Sequence, residues 1–494
     1  MSGDLLSSLD AHARAHLASL RTLPPTADPV KLRTALESLP KSLPDQGWGD
    51  ARTLEYLTGT VAGGLAQGQA GPRYWGFVTG GVLPIAQAAD NLVTLYDQNV
   101  QVHLPTQSLS TVIESRTLEL LLSLLSLDPA GFPGRTFTTG ATTSNILGLA
   151  CGRQWAIAQA HPGYSVAEDG FGGYGCKVFV AKAHASLVKA ASVVGIGRKN
   201  VIDCGQDVDD NGGLPFDLVR LERLMKECKE RGDGIIVSPG FGEVNTGGFT
   251  PDVHRIRELC DTYGAWLHID GAFGAFAKLV PDLQGYVEYL HLADSITVDA
   301  HKWLNVPYDS AAFFTRHADV LPSIFGPSPA TGGPAYLSSG SVGPSYPALD
   351  AVQSIPSPLN VNLENSRRFR ALPVFAALLS LGQEGYAELV QRNVAFARAL
   401  GDYIAAHESY ELLNPGNKVL LNIVLFRAKT VDSAELLKRI NASGQMYASP
   451  TSWAGKGAVR IAVSNWMTRM DQTGETKSDL DIAMEVLDSV VQDS

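Results

Sequence analysis

The sequence predicts an α/β fold, a mainly parallel central sheet followed by a smaller C-terminal α+β domain. Three observations carry that expectation. Between about residues 135 and 315, short apolar runs alternate with helical patterns, which is the signature of parallel strands buried on both faces. Towards the C-terminus, helical text rich in Arg and Ala leads to two further strand-like runs, 418–426 and 458–465. The length, 494 residues, gives room for roughly two to four domains and a sizeable core.

Taken in order, residues 1–104 read as a mostly helical N-terminal segment. It is interrupted by PRYWGFVTGGVLPIAQAADNLVTLYDQN, where aromatics and glycines break any single period. Residues 108–127 carry apolar side chains at helical spacing with few charges, so that helix is buried or lies at a subunit interface. The strand-like runs are 177–181, 234–238, 265–270, 295–299 and 311–314. They belong to a large domain, 105–365, in which ligands are expected beyond the carboxyl ends of the strands. Residues 326–358 are dense in Gly, Pro and Ser and read as a long functional loop. The small α+β domain then occupies 366–494.

Charge and composition exclude several classes. With 39 basic and 50 acidic residues the net charge is −11, so no overall positive field exists to hold nucleic acid or an anionic bilayer. Five cysteines without a CxxC pair argue against a disulfide framework or a zinc site. The start, MSGDLLSSLD, has neither a basic nor an apolar signal region, and no run approaches the roughly 18 apolar residues of a membrane span. A soluble, cytoplasmic protein is expected.

The informative feature is a set of polar residues where strand-like runs end. In TTGATTSNILGLACGRQWA, small residues 138–143 precede a helix expected to begin near Ser144. A helix start with free N–H groups and hydroxyls binds phosphate, although an ordinary N-cap has the same text. His184 follows the second run and precedes a helix, where it is either structural or a ring for stacking. Asp270 closes an apolar strand before Gly271 and Ala272, a costly place for a carboxylate without a cationic partner. His301 and Lys302 interrupt apolar and aromatic surroundings before Trp303, which suits a nucleophilic amine. Jointly, a phosphate cradle, an imidazole, a carboxylate and an amine describe a pocket for pyridoxal 5′-phosphate.

The same residues carry a family resemblance. HKW after an aliphatic strand, HIDGAFGAF upstream and AHASLVKAA before that resemble the group II pyridoxal-dependent amino-acid decarboxylases, colinearly from about Pro72 to Arg460. The resemblance implies the aspartate-aminotransferase-like fold, fold type I of pyridoxal-phosphate enzymes. It implies that Lys302 forms the Schiff base with the cofactor, Asp270 partners the pyridine nitrogen and His184 stacks on the ring. Ala141 and Thr142 fall in the implied phosphate loop, Ala272 packs below the ring, and Ser295, Asp299 and His301 stand close to the cofactor. In PGFGEVNTGGFTP, Glu243, Val244 and Asn245 replace the family's usual Gly-Thr-Thr type text, so Asn245 and Thr246 are cofactor contacts by position more than by identity.

Tyr336, in PAYL of the long loop, matches the tyrosine implied to protonate the carbanion after carbon dioxide leaves, where related aldehyde synthases have phenylalanine. Arg460 matches an arginine implied to lie near the substrate carboxylate. The activity implied is decarboxylation of an L-amino acid to a primary amine, without a metal, in a homodimer with its active site at the interface and residues 1–104 packing on the partner subunit. For the substrate side chain, Tyr74, Trp75 and Phe77 offer aromatic surface, whereas Asp97, Gln98 and Asn99 offer polar groups. The expectation leans to an aromatic amino acid. An acidic or diamino substrate, an aldehyde synthase or another fold type I enzyme are the alternatives.

Overall fold

The computed structural model describes residues 2–328, 332, 351–472 and 477–492. The chain forms two compact units, one of residues 82–391 and 414–421, the other of 1–81, 392–413 and 422–494. The first 81 residues thus fall with the C-terminal segments.

The larger unit is built on a seven-stranded sheet of β1 (Gly134–Thr138), β2 (Cys176–Val180), β3 (Val201–Asp203), β4 (Gly234–Ser238), β5 (Trp266–Asp270), β6 (Ser295–Asp299) and β7 (Ala311–Thr315). Its order is β1-β7-β6-β5-β4-β2-β3. All neighbours are parallel except β7, which runs antiparallel to both β1 and β6. Strands β4, β6 and β7 are buried at every position, as their unbroken apolar text requires of a sheet covered on both faces. The expected runs match β2, β4, β5, β6 and β7 to within a residue or so. The short β3 was not legible, because three residues are too few to show a period.

The helix Ala141–Ala160 packs on this sheet. Two glycines let it come close: a Cβ on Gly152 would stand 2.9 Å from Ile236 and Trp266, and one on Gly148 2.4 Å from the His268 ring. The helix begins at Ala141 and not near Ser144, a correction with a local cause. Gly140 occupies the cap without a side chain, and the Ala141 amide is donated to Asp299 at 2.6 Å, so Thr142 and Thr143 enter the first turn. The apolar helix expected over 108–127 is Ser110–Leu124, and its Leu118, Leu121, Leu122 and Leu124 are already buried within the chain. It therefore gives no argument for a subunit interface.

The smaller unit contains a four-stranded antiparallel sheet of β8 (Tyr410–Leu412), β9 (Ile423–Ala428), β10 (Ser449–Trp453) and β11 (Lys456–Ala462), ordered β10-β11-β9-β8. The single strand expected over 418–426 is shorter at its start, because Asn422 turns its amide to Val463 O at 3.0 Å before β9 begins. No helix among the described residues is long and apolar enough to cross a membrane.

Candidate active site

Because β1, β2, β4, β5 and β6 point the same way, their carboxyl ends share one edge of the larger sheet, and the turns leaving that edge carry the polar residues. β6 ends in Asp299 and passes directly into the short helix Ala300–Trp303. Ser310, next to β7, closes the excursion by accepting the Ala300 and His301 amides at 3.1 Å.

Lys302 Nζ lies 3.0 Å from Asp299 Oδ2, while Asp299 Oδ1 accepts the Ala141 amide. One carboxylate thereby joins the lysine to the first turn of the helix Ala141–Ala160, whose leading N–H groups have no partner within the helix. The Lys302 ammonium also stands 5.4 Å from the centre of the Phe273 ring, a cation–π distance. Burial pushes the His301 imidazole below its ordinary value, against the opposing pull of Asp299, so it is neutral at pH 7.

Asp270 closes β5. Its Oδ1 accepts the Ala272 amide at 3.2 Å and its Oδ2 the Asn145 side-chain amide at 2.7 Å. Ala272 O accepts the Asp299 amide at 2.9 Å, tying the ends of β5 and β6 together. After β2, His184 caps the helix Ala185–Val193: its Nδ1 accepts the Ser186 amide at 3.2 Å and lies 2.7 Å from Ser186 Oγ. Two residues earlier, Lys182 holds a left-handed φ of 51°.

These turns enclose one cavity. Ala141 and Thr142 line it with His184, Asp270 and Ala272, and Asp299, His301 and Lys302 complete its wall. Among the groups lining it, the Lys302 amine, the Asp270 carboxylate, the flat His184 imidazole and a helix N-terminus suit a group with an aldehyde, a basic ring nitrogen and a phosphate. The chemistry of pyridoxal 5′-phosphate fits it.

Of the other expected residues, Asn245, Thr246 and Ser295 do not line this cavity. The Glu243 carboxylate gathers the amides of Asn245 and Thr246 at 3.0 and 2.9 Å and the Thr246 hydroxyl at 3.0 Å. Asn245 and Thr246 thus build the turn, while Glu243 and Val244 line the cavity. Ser295 starts β6, about 13 Å along the strand from Asp299, and bonds His268. Tyr74, Trp75, Phe77 and Arg460 belong to the smaller unit. There Tyr74 stacks on Tyr447 at 4.8 Å, Trp75 is buried against Phe396, Phe77 is exposed with φ 58°, and Arg460 lies buried on β11. Tyr336 and much of the long loop lie outside the described residues.

Sequence reasoning missed Asn145, Ser186 and His268. A signal existed for His268, a polar residue two positions before Asp270 and so on the same face of β5.

Comparison with known proteins gives these residues a context. Residues 72–429 match the conserved domain of pyridoxal-dependent decarboxylases. An L-2,4-diaminobutyrate decarboxylase of Acinetobacter baumannii is 30% identical over 56% of the chain, and that match spans about half of the relative, 52%. An aromatic-L-amino-acid decarboxylase of Bacillus atrophaeus is 24% identical over 92% of the chain and 90% of its own length. Among solved structures, an Oryza sativa TDC with PLP and tryptamine superposes with a TM-score of 0.82 at 19% identity, covering 100% of this chain and 98% of that one. The shared fold is fold type I.

Proposed function

The chain belongs to the pyridoxal-dependent decarboxylase family, and we propose that it is a carboxy-lyase that converts an aromatic L-amino acid to the corresponding primary amine and carbon dioxide. The single observation that carries the reading is the placement of Lys302, Asp270 and His184 around one cavity beside the helix start at Ala141. When bound, pyridoxal 5′-phosphate supplies an electron sink for the bond to the departing carboxylate.

In this reading the residues have separate tasks. Lys302 offers the amine that holds the cofactor, and Asp299 receives its ammonium when it is free. Asp270, bonded by the neutral donors Asn145 and Ala272, would accept a hydrogen bond from the ring nitrogen and keep it protonated. His184 is held by its own cap bond with its ring against the cavity. The helix start at Ala141 and Thr142 would receive the phosphate at the positive end of a 20-residue helix, with the Ala141 amide itself already taken by Asp299. Tyr336 returns a proton to the product carbon.

The aromatic substrate class is supported by the likeness to the Bacillus enzyme over 92% of the chain. A second reading has a specific observation behind it. Glu243 lines the cavity, and an acid there suits the distal amine of a diamino substrate, in line with the Acinetobacter relative.

We further place the protein in the cytoplasm as a homodimer. All five cysteines are free and buried, as befits a reducing compartment. Apolar side chains stand exposed along the N-terminal segment, among them Leu6, Leu9, Val30, Leu32, Leu36 and Leu43, and a second copy is the occupant such a surface suits.

The test is addition of each common L-amino acid to the cofactor-loaded protein while carbon dioxide and amine are measured. Release with aromatic substrates is expected. Release only with 2,4-diaminobutyrate selects the second reading, and cofactor absorbance without release from any amino acid discards decarboxylation.

A further inference from the structure

His268 is a fully buried imidazole that no step of the proposed reaction uses. Its Nδ1 lies 2.8 Å from Ser295 Oγ and its Nε2 2.9 Å from Asn145 Oδ1. Ser295 Oγ accepts the Trp266 indole N–H at 2.9 Å. At the other end, Asn145 Nδ2 donates to Asp270 Oδ2 at 2.7 Å and to Ser186 Oγ at 3.0 Å, while Thr297 Oγ1 donates to Asn145 Oδ1 at 3.1 Å. An amide has two donor and two acceptor positions; here all are filled.

The two ends fix the direction of every bond between them. An indole N–H only donates and a carboxylate only accepts. A reversed Asn145 amide would set its oxygen against Asp270, so Nδ2 faces the carboxylate and Oδ1 faces His268. His268 Nε2 therefore carries the proton, and Nδ1 accepts from the Ser295 hydroxyl. From Trp266 to Asp270 all bonds point towards the carboxylate, through a ring that is neutral. Burial, opposed only by Asp270, pushes His268 down to about 4, in keeping with that state. Space for the ring exists because residue 148 is glycine, where a Cβ would meet His268 Cε1 at 2.4 Å.

We infer that Asn145, oriented by His268, is a positioning residue that holds Asp270 as a carboxylate aimed into the cavity. Through Ser186 the same amide is joined to His184, so the two groups expected to embrace the cofactor ring share one support. This rests on the reading of the cavity as a pyridoxal 5′-phosphate site. Chains of aligned bonds of this kind strengthen one another in a buried setting.

The test uses Asn145→Asp, which sets a second carboxylate against Asp270, and His268→Leu, which removes both bonds of the ring. His268→Gln retains a donor for Asn145 and an acceptor for Ser295. Titration with pyridoxal 5′-phosphate, followed by visible absorbance, is expected to show affinity lowered about tenfold or more in Asn145→Asp and His268→Leu and largely restored in His268→Gln. In the cofactor-free protein, 15N shifts of labelled histidine should report His268 as neutral with its proton on Nε2. A wild type that binds the cofactor while all three variants bind it equally well overturns the positioning role alone, as does a His268 protonated on Nδ1. A wild type that binds no cofactor overturns the reading of the cavity and the inference with it.

Discussion

Lys302 Nζ and Asp299 Oδ2 stand 3.0 Å apart, and the other oxygen of that carboxylate holds the Ala141 amide. The amine and the helix start are therefore set by one side chain. Asp299→Asn keeps an acceptor for the amide and removes the charge beside the lysine; Asp299→Ala removes both. Cofactor affinity should fall about tenfold in Asp299→Ala, as for loss of a charge-assisted bond, and less in Asp299→Asn. Equal losses, measured by absorbance titration, would show that the helix contact plays no part.

Lys302→Ala should abolish both the visible absorbance of the lysine-bound cofactor and carbon dioxide release while circular dichroism stays that of the wild type. An unchanged visible spectrum after removal of free cofactor would assign the bond to another amine.

Tyr336→Phe is expected to shift the product from amine towards aldehyde, measured by chromatography of the reaction mixture. Amine formed at the original rate would take the tyrosine out of the reaction.

Gly148→Ala tests the close approach of the helix to β5. In an open helix the change would stabilise by about 1 kcal/mol. Here the added Cβ falls 2.4 Å from His268 Cε1, and overpacking should reverse the sign, to a loss of about 2 kcal/mol. Urea unfolding midpoints decide between the two signs.

The depressed His268 gives stability a pH dependence. Its ordinary value is 6.5 and burial brings it to about 4. Above 6.5 the ring is neutral in both folded and unfolded chains and contributes nothing. As pH falls from 6.5 towards 4 the unfolded chain takes up a proton that the folded one refuses, so stability is lost across that window, by about 3 kcal/mol at its end. His268→Gln should lack this component when the unfolding free energies of the two proteins are compared through the same range.

Much of this was legible in the text of the chain. Strands β4, β5 and β6 could be read because burial on both faces leaves no polar alternation to confuse with a helix, and Asp270 and Lys302 stood out as charges where such runs stop. Asn145 and His268 did not, because each looks like an isolated polar residue until the helix and β5 are laid together. The turn at Glu243 was visible only as a departure from the family's text; that its carboxylate ties down Asn245 and Thr246 is a property of the folded loop. Ser295 was placed near the cofactor by the family resemblance, yet it opens the strand that Asp299 closes.

The antiparallel course of β7 gives the lysine segment a particular mechanical character. Residues 300–310 leave the sheet edge from β6 and return to the same edge in β7, with Ser310 O clasping the amides of Ala300 and His301. Lys302 is thus carried on an arch pinned at both feet. Its backbone has no route away from the cavity, and only the torsions of its own side chain move the amine. The amine therefore faces a group bound in the cavity as a tethered neighbour and not as a solute, which raises its effective concentration there.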